Sequence, residues 1–127
     1  RIPGFGYCDY SHLVQSIDIL PTVLRSVGMQ VPRGVQGVDL SAGFYSNSRV
    51  NDMVVSMIGH YPRLRMLRTM SHKYWIIGDS EFCFDLNVDP GENINCFGVA
   101  NRVVAELRFQ LLRMLIRCED PLPYPCP

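Results

Sequence analysis

The sequence predicts a mixed α/β chain with four parts in order: a helix, a long connector, a small antiparallel sheet and a closing helix. Apolar residues recur at helical spacing before residue 28 and again after residue 98. Short runs rich in β-branched and aromatic residues lie between the two helical segments. At 127 residues, 47% of them hydrophobic, the chain has the size of one domain and can bury a core.

The first predicted helix follows an opening loop of residues 1–10. Asp18 or Ser16 can cap its start, Pro21 is tolerated in its first turn, and Gly28 suits the position after its end. One face of this helix is apolar and consists of Ile19, Leu20, Val23, Leu24 and Val27.

The rest of the chain predicts a connector, a sheet and a second helix. Residues 29–49 are rich in Gly and polar residues and predict a connector with one short helical turn. The runs MVVSMI, LRMLRTM, KYWII and EFCFDL alternate with turn signals, which predicts an antiparallel meander of three or four strands. A meander with one helix buries one sheet face, so we expect the sheet and the first helix to need a larger neighbour. The apolar side of the closing helix is formed by Val99, Val103, Leu107, Leu111, Met114 and Leu115.

The charge balance and hydropathy argue against two classes of partner. Lys plus Arg and Asp plus Glu number 12 each, so no net field favours nucleic acid or an anionic membrane surface. No apolar run reaches the about 18 residues that a membrane span requires. We therefore expect no nucleic-acid partner and no membrane span. The cysteines contain no C-x-x-C pair and permit one or two disulfides among Cys8, Cys83, Cys96, Cys118 and Cys126.

The acidic stretch FDLNVDPGENIN has the oxygen-rich spacing of a calcium loop but lacks its key residues. Counted from Asp85, the sixth and twelfth places hold Pro90 and Cys96, where such a loop needs Gly and a bidentate Glu. We therefore predict a strand end followed by a Pro-Gly turn, and no metal site. In that case Asp85, Asp89 and Glu92 accept turn and cap hydrogen bonds.

The candidate substrate-binding residues are His60, Arg63, Arg65 and Arg68. His60 lies in a Gly-His-Tyr-Pro loop that can reach into a cleft, and guanidinium groups match sulfate, phosphate and carboxylate oxygens. Alternation along a strand would instead direct some of these arginines to solvent. No nucleophile motif, P-loop or dinucleotide fingerprint is present, so no catalytic residue is predicted in this chain.

Four segments in register resemble the late part of the sulfatase family. They are DILPTVL from Asp18, VQGVDL from Val35, RTMSHKY from Arg68 and FDLNVDPGENIN from Phe84. Phe84 stands where the family favours Tyr. The residues that carry the resemblance are Asp18, Pro21, Thr22, Gln36, Gly37, Lys73, Tyr74, Asp85, Asp89, Pro90, Glu92 and Asn95.

The resemblance implies a fold, a domain division and a parent enzyme. Residues 1–48 would be the end of the large sulfatase α/β domain, and residues 49–127 a carboxy-terminal subdomain with a four-stranded antiparallel sheet and a helix. The parent would be a sulfuric ester hydrolase acting on a small-molecule or glycan sulfate ester. Its formylglycine nucleophile and calcium would lie upstream of Arg1, since this chain has no C/S-x-P-x-R motif. Its partner would be the remainder of the sulfatase polypeptide, in a secreted, periplasmic or lysosomal compartment.

Several alternatives stay open at this point. The parent could hydrolyse phosphate or phosphonate esters within the same alkaline phosphatase superfamily, or the chain could be a non-catalytic binding module. Cys83 and Cys96 stand where the family usually has Leu, so they are either buried thiols or a disulfide that their spacing permits.

Overall fold

The computed structural model describes Gly6 and residues 9–59, 63–99 and 101–119. These residues form two compact units: Met53–Arg117, and the described residues on either side of it. The sequence-based division at residue 48 concerns the intact protein and stays a prediction. His60, Cys8 and Cys126 lie outside the described residues.

The first unit contains a 3-10 turn, Ser16–Asp18, followed by helix α1, Ile19–Ser26, and the short helix α2, Ser41–Ser46. Gly28 follows α1 with a φ of +77°, a conformation that L side chains rarely adopt. The Asp18 side chain makes no capping hydrogen bond to α1.

The apolar face predicted for α1 faces solvent. The buried residues of the helix are Pro21 and Thr22, while Ile19 is 62% and Leu20 53% exposed. The periodicity identified the helix correctly, but its apolar face has no cover among the described residues. That this helix packs against a larger neighbour stays a prediction.

The second unit is a meander of four strands, which gives the upper of the two predicted strand counts. The strands lie in the order β1-β2-β3-β4, and every neighbouring pair is antiparallel. Gly78 opens the two-residue turn between the last two strands with a φ of +56°, as a Gly-first hairpin turn requires. The strand bounds are β1 Met53–Ile58, β2 Leu64–Thr69, β3 His72–Ile77 and β4 Ser80–Asp85.

The closing helix α3, Asn101–Glu119, joins the sheet in one core. The residues of this core cluster are each at most 5% exposed. The helix contributes Leu107 and Leu111 to it, as the sequence predicts. The prediction for Val99 was wrong, because this residue lies in a turn before α3 and is 89% exposed. The core cluster is Leu67, Tyr74, Cys83, Val104, Leu107 and Leu111.

The opposite sheet face also carries aromatic side chains, of which Trp75 is half-buried and Phe84 is buried. Strand alternation places Trp75 there, with its ring centroid 4.9 Å from that of Phe84 and 5.6 Å from that of Phe82. The ammonium of Lys73 lies 5.1 Å from the Trp75 ring centroid, a cation–π geometry. Among the described helices, none is long and apolar enough to cross a membrane.

Candidate functional site

The arginines predicted to bind substrate fall on different parts of the second unit. Arg63 precedes β2 and is exposed. The Arg65 guanidinium donates from Nη1 to the carbonyl oxygens of Ile58, at 3.1 Å, and Leu64, at 3.0 Å. Arg65 therefore ties the end of β1 to the start of β2, close to the segment that holds Arg63.

Arg68 lies on the other sheet face from Arg65, because side chains three positions apart on a strand point to opposite faces. Its register partner on β3 is Lys73, so two cations lie side by side there. The Lys73 ammonium is paired with Glu92 at 2.7 Å, while Arg68 is exposed. The three candidate arginines thus divide into a pair near the β1–β2 connection, Arg63 and Arg65, and a separate cation, Arg68, on the aromatic face.

Asp18 is the centre of a buried hydrogen-bond network in the first unit. The residue is 0% exposed, and its carboxylate accepts three bonds of 2.9 Å each, from the N–H groups of Gln15 and Val38 and the side-chain amide of Asn51. The Thr22 hydroxyl donates to the Asp18 carbonyl at 2.6 Å and accepts from the Leu40 N–H at 3.0 Å. The Asp-x-x-Pro-Thr motif therefore holds the connector against the start of α1.

Gly37 lies where this connector crosses the backbone of the 3-10 turn. A Cβ atom at Gly37 would overlap the carbonyl group of Ile17 and approach the Asp18 nitrogen to 2.9 Å. Because the obstructing atoms are main-chain atoms, only glycine fits. The neighbouring Gln36 amide donates to the Cys118 carbonyl at 3.4 Å, and both residues belong to the first unit.

The acidic stretch forms a turn whose oxygen atoms already have partners. Asp85 accepts from the Asn87 N–H at 3.0 Å, and Asp89 accepts from the Ile94 N–H at 2.7 Å. The bond from Ile94 is the main reason why the pKa of Asp89 is lowered. Pro90 lies at this turn.

The described residues do not fit a calcium site. They include no group of three or more His, Cys, Asp or Glu side chains that could hold a metal ion. Glu92, the remaining acidic residue of the turn, is occupied by Lys73. Asn95 uses its side-chain oxygen to accept the Cys83 N–H at 2.9 Å and the Phe97 N–H at 3.1 Å.

A polar cluster of Tyr74, Glu81 and Arg108 was missed by sequence reasoning. The Tyr74 hydroxyl donates to Glu81, and Arg108 donates to both Glu81 oxygens, at 2.9 Å to Oε1 and 2.7 Å to Oε2. Burial, followed by the bond to Glu81, raises the pKa of Tyr74. The three residues are separated by 7 to 34 positions, so only the strand register and helix phase could have indicated the contact.

Replacing Glu81 by Gln should reduce the stability of the second unit in a pH-dependent way. Hydrogen bonding from Tyr74, then from Arg108, lowers the pKa of Glu81. A lowered folded-state pKa contributes stability above the unfolded value of about 4.3, and that contribution is lost as pH falls through the folded value. We expect Glu81→Gln to cost about 1 kcal/mol near neutral pH and progressively less as the pH falls through the lowered folded-state pKa of Glu81.

Urea unfolding followed by the fluorescence of Trp75, the single tryptophan, measures this difference. Glu106→Gln is the matched control, since Glu106 is exposed on α3 and accepts a hydrogen bond from the Gln110 side chain at 2.6 Å. A Glu81→Gln difference that does not change with pH would contradict the expected role of the ionised carboxylate.

No protein-family model and no curated protein matches the sequence. Solved structures do match. The chain is similar to BT1596, a 2-O GAG sulfatase, with 27% identity and a TM-score of 0.70 over 81% of this chain and 25% of that one. It is similar to BT4656, solved with its substrate D-glucosamine-2-N,6-O-disulfate, with 25% identity and a TM-score of 0.73 over 82% of this chain and 24% of that one. The fold is also shared with a phosphonate monoester hydrolase from Silicibacter pomeroyi, at 23% identity and a TM-score of 0.69 over 82% of this chain and 25% of that one.

The fold is therefore one found in hydrolases of sulfate and phosphonate esters. The resemblance to the carboxy-terminal portion of the sulfatase family is confirmed, as are the small antiparallel sheet and the closing helix that it implied. The chain spans about a quarter of the length of the structures it matches.

Proposed function

We propose that this chain is the carboxy-terminal part of a sulfuric ester hydrolase, where it completes the fold and lines the rim of the substrate cleft. The observation that supports this most is the match of 81% of the chain to a sulfatase at 27% identity. In this proposal the formylglycine nucleophile and the calcium ion belong to the remainder of the polypeptide. The residues described here bind and position, and carry no step of bond cleavage.

The domain division forms part of the proposal. Residues 1–48 would close the large α/β domain, and residues 49–127 would form the small subdomain. The exposed apolar face of α1 supports this, because Ile19, Leu20 and Val27 are each more than half exposed. Such a contiguous apolar face is an association liability unless another part of the protein covers it.

We assign the substrate side to the connection between β1 and β2, with His60 and Arg63 as contacts. Arg63 is exposed, and Arg65 holds the adjoining strand ends together through its two carbonyl contacts. A guanidinium group can bind two sulfate oxygens at once. Arg68 lies on the opposite sheet face, so it would contact a different part of the substrate or none.

The experiment begins with the coding sequence upstream of Arg1, where we expect a C/S-x-P-x-R motif. The complete protein is then assayed with para-nitrophenyl sulfate, para-nitrophenyl phosphate and a phenylphosphonate monoester. Preference for the sulfate ester supports the proposal. Preference for the phosphonate ester would favour the related hydrolase, and an initiator Met directly before Arg1 would overturn the proposal.

The role of Arg63 is tested in the same complete protein. Loss of one charge-assisted contact to the substrate should raise KM about tenfold for Arg63→Ala and leave kcat nearly unchanged. Arg102→Ala is the control, because Arg102 is exposed on α3. Equal KM values for the two variants would show that Arg63 does not contact the substrate.

A further inference from the structure

Cys83 and Cys96 lie side by side although 13 positions separate them in the chain. The Cys96 N–H donates to the Cys83 carbonyl at 2.8 Å, and the Cys96 thiol donates to the same oxygen at 3.2 Å. The Cys83 N–H in turn donates to the side chain of Asn95 at 2.9 Å. These bonds hold the segment around Cys96 against β4.

The two side chains share one environment but differ in exposure. Both are free thiols, and Cys96 packs against the core cluster to which Cys83 belongs. Cys83 is fully buried, whereas Cys96 is partly exposed. Burial, then the neighbouring Cys96 thiol, raises the pKa of Cys83 to about 12. Cys96 is therefore the thiol that a reagent in solution meets first.

The local geometry brings the two cysteines into direct contact. The N–H and the thiol of Cys96 both donate to the Cys83 carbonyl, at 2.8 Å and 3.2 Å. A disulfide joins residues whose Cα atoms lie about 4.4–6.8 Å apart, so its partners must be neighbours of this kind.

We propose that Cys83 and Cys96 form a redox-sensitive pair that closes to a disulfide by exchange with a low-molecular-weight disulfide such as oxidised glutathione. The Cys96 thiolate attacks one glutathione sulfur, forms a mixed disulfide and releases one glutathione thiolate. Cys83 then loses its proton to that thiolate or to water, and its sulfur attacks the Cys96 sulfur and releases the second glutathione. Two protein thiols are oxidised, and one molecule of oxidised glutathione is reduced to two thiols.

The disulfide would fix the acidic turn to β4. The turn between the two cysteines contains Glu92, which is already paired with Lys73 on β3. Closing a loop of this length restricts the unfolded chain, so we expect the oxidised protein to melt roughly 5–15 °C above the reduced one. This proposal concerns the second unit alone and does not depend on the proposed function.

A single tryptic peptide tests the proposal, because residues 74–102 contain both cysteines and no internal Lys or Arg. The native 127-residue chain is equilibrated with oxidised and reduced glutathione, and its remaining thiols are blocked with iodoacetamide. The chain is then digested with trypsin, and the mass of the peptide is measured by mass spectrometry. A closed pair carries no blocking group. By linkage, a disulfide that stabilises the fold forms more readily in the folded state, so closure should be about tenfold more favourable in the native chain than in concentrated urea.

Two variants separate the steps. In Cys83→Ala the reaction should stop at a glutathione adduct on Cys96. In Cys96→Ser, whose hydroxyl can replace the thiol as a donor to the Cys83 carbonyl, Cys83 should stay reduced until the chain unfolds. Equal closure in the native and urea-unfolded chain, or a wild-type protein that retains the glutathione adduct on Cys96, would overturn the proposal.

Discussion

Replacing Asp18 by Ala should lower the free energy of unfolding of the first unit by about 3–4 kcal/mol. The carboxylate is 0% exposed and accepts bonds from Gln15, Val38 and Asn51. Alanine removes the acceptor of all three bonds at once, two of them part-buried and the bond from Asn51 buried, and a buried bond that loses its acceptor costs about 1–3 kcal/mol. The loss exceeds that of an ordinary surface substitution, because buried polar networks are destabilised most when only one side is removed.

Hydrogen exchange measured by mass spectrometry locates this effect. The amides of Val38 and Leu40 bond to Asp18 Oδ1 and Thr22 Oγ1, so both should exchange faster in Asp18→Ala. The tryptophan fluorescence of the second unit serves as an internal reference. Asp52→Ala is the matched control, since the Asp52 carboxylate is 74% exposed and pairs with Arg49 on the surface.

A milder substitution tests the same network if Asp18→Ala does not fold. Thr22→Val keeps the shape of the side chain but leaves the Leu40 N–H without its acceptor. It should cost about 1–2 kcal/mol and accelerate exchange at Leu40 more than at Val38. Unchanged protection at Leu40 would show that the network does not hold the connector.

Much of the fold could be predicted from sequence because its signals are local. The four strands have β-rich runs between turn residues, and Gly28 and Gly78 lie at positions with positive φ. The start of α3 was misplaced at Val99, since an apolar residue at helical spacing cannot by itself distinguish a preceding turn from the first helical turn.

The arrangement of the candidate site could not be predicted in the same way. Arg63, Arg65 and Arg68 form one cluster in sequence, but the strand alternation places Arg68 on the other sheet face. The partner of each polar group also depends on distant residues: Asp18 bonds to Val38 and Asn51, which lie 20 and 33 positions away. The motif residues were recognisable as a pattern, while their role in holding two segments together required the structure.

The connector crossing at Gly37 explains why the VQGVDL segment of the connector and the DILPTVL segment at the start of α1 occur together. Asp18 draws the Val38 N–H towards the 3-10 turn, and this brings the residue before it onto the Ile17 carbonyl. The bond from Val38 to Asp18 can therefore form only because residue 37 has no side chain. A larger residue at position 37 would lengthen the bond to Asp18, and loss of Asp18 would remove the reason for the close approach.

Gly37→Ala should therefore destabilise the first unit by at least about 2 kcal/mol. The added methyl group would overlap main-chain atoms of Ile17, which cannot move aside by rotating a side chain. Gly34→Ala is the matched control in the same connector, because a Cβ atom there meets nothing within 4 Å. Gly34→Ala should leave the free energy of unfolding unchanged or raise it by up to about 1 kcal/mol, since alanine restricts the unfolded chain.

Both variants are measured by urea unfolding followed by circular dichroism and by hydrogen exchange at the Val38 amide. Equal effects of the two substitutions would show that the connector does not pass as closely over the turn as the structure places it.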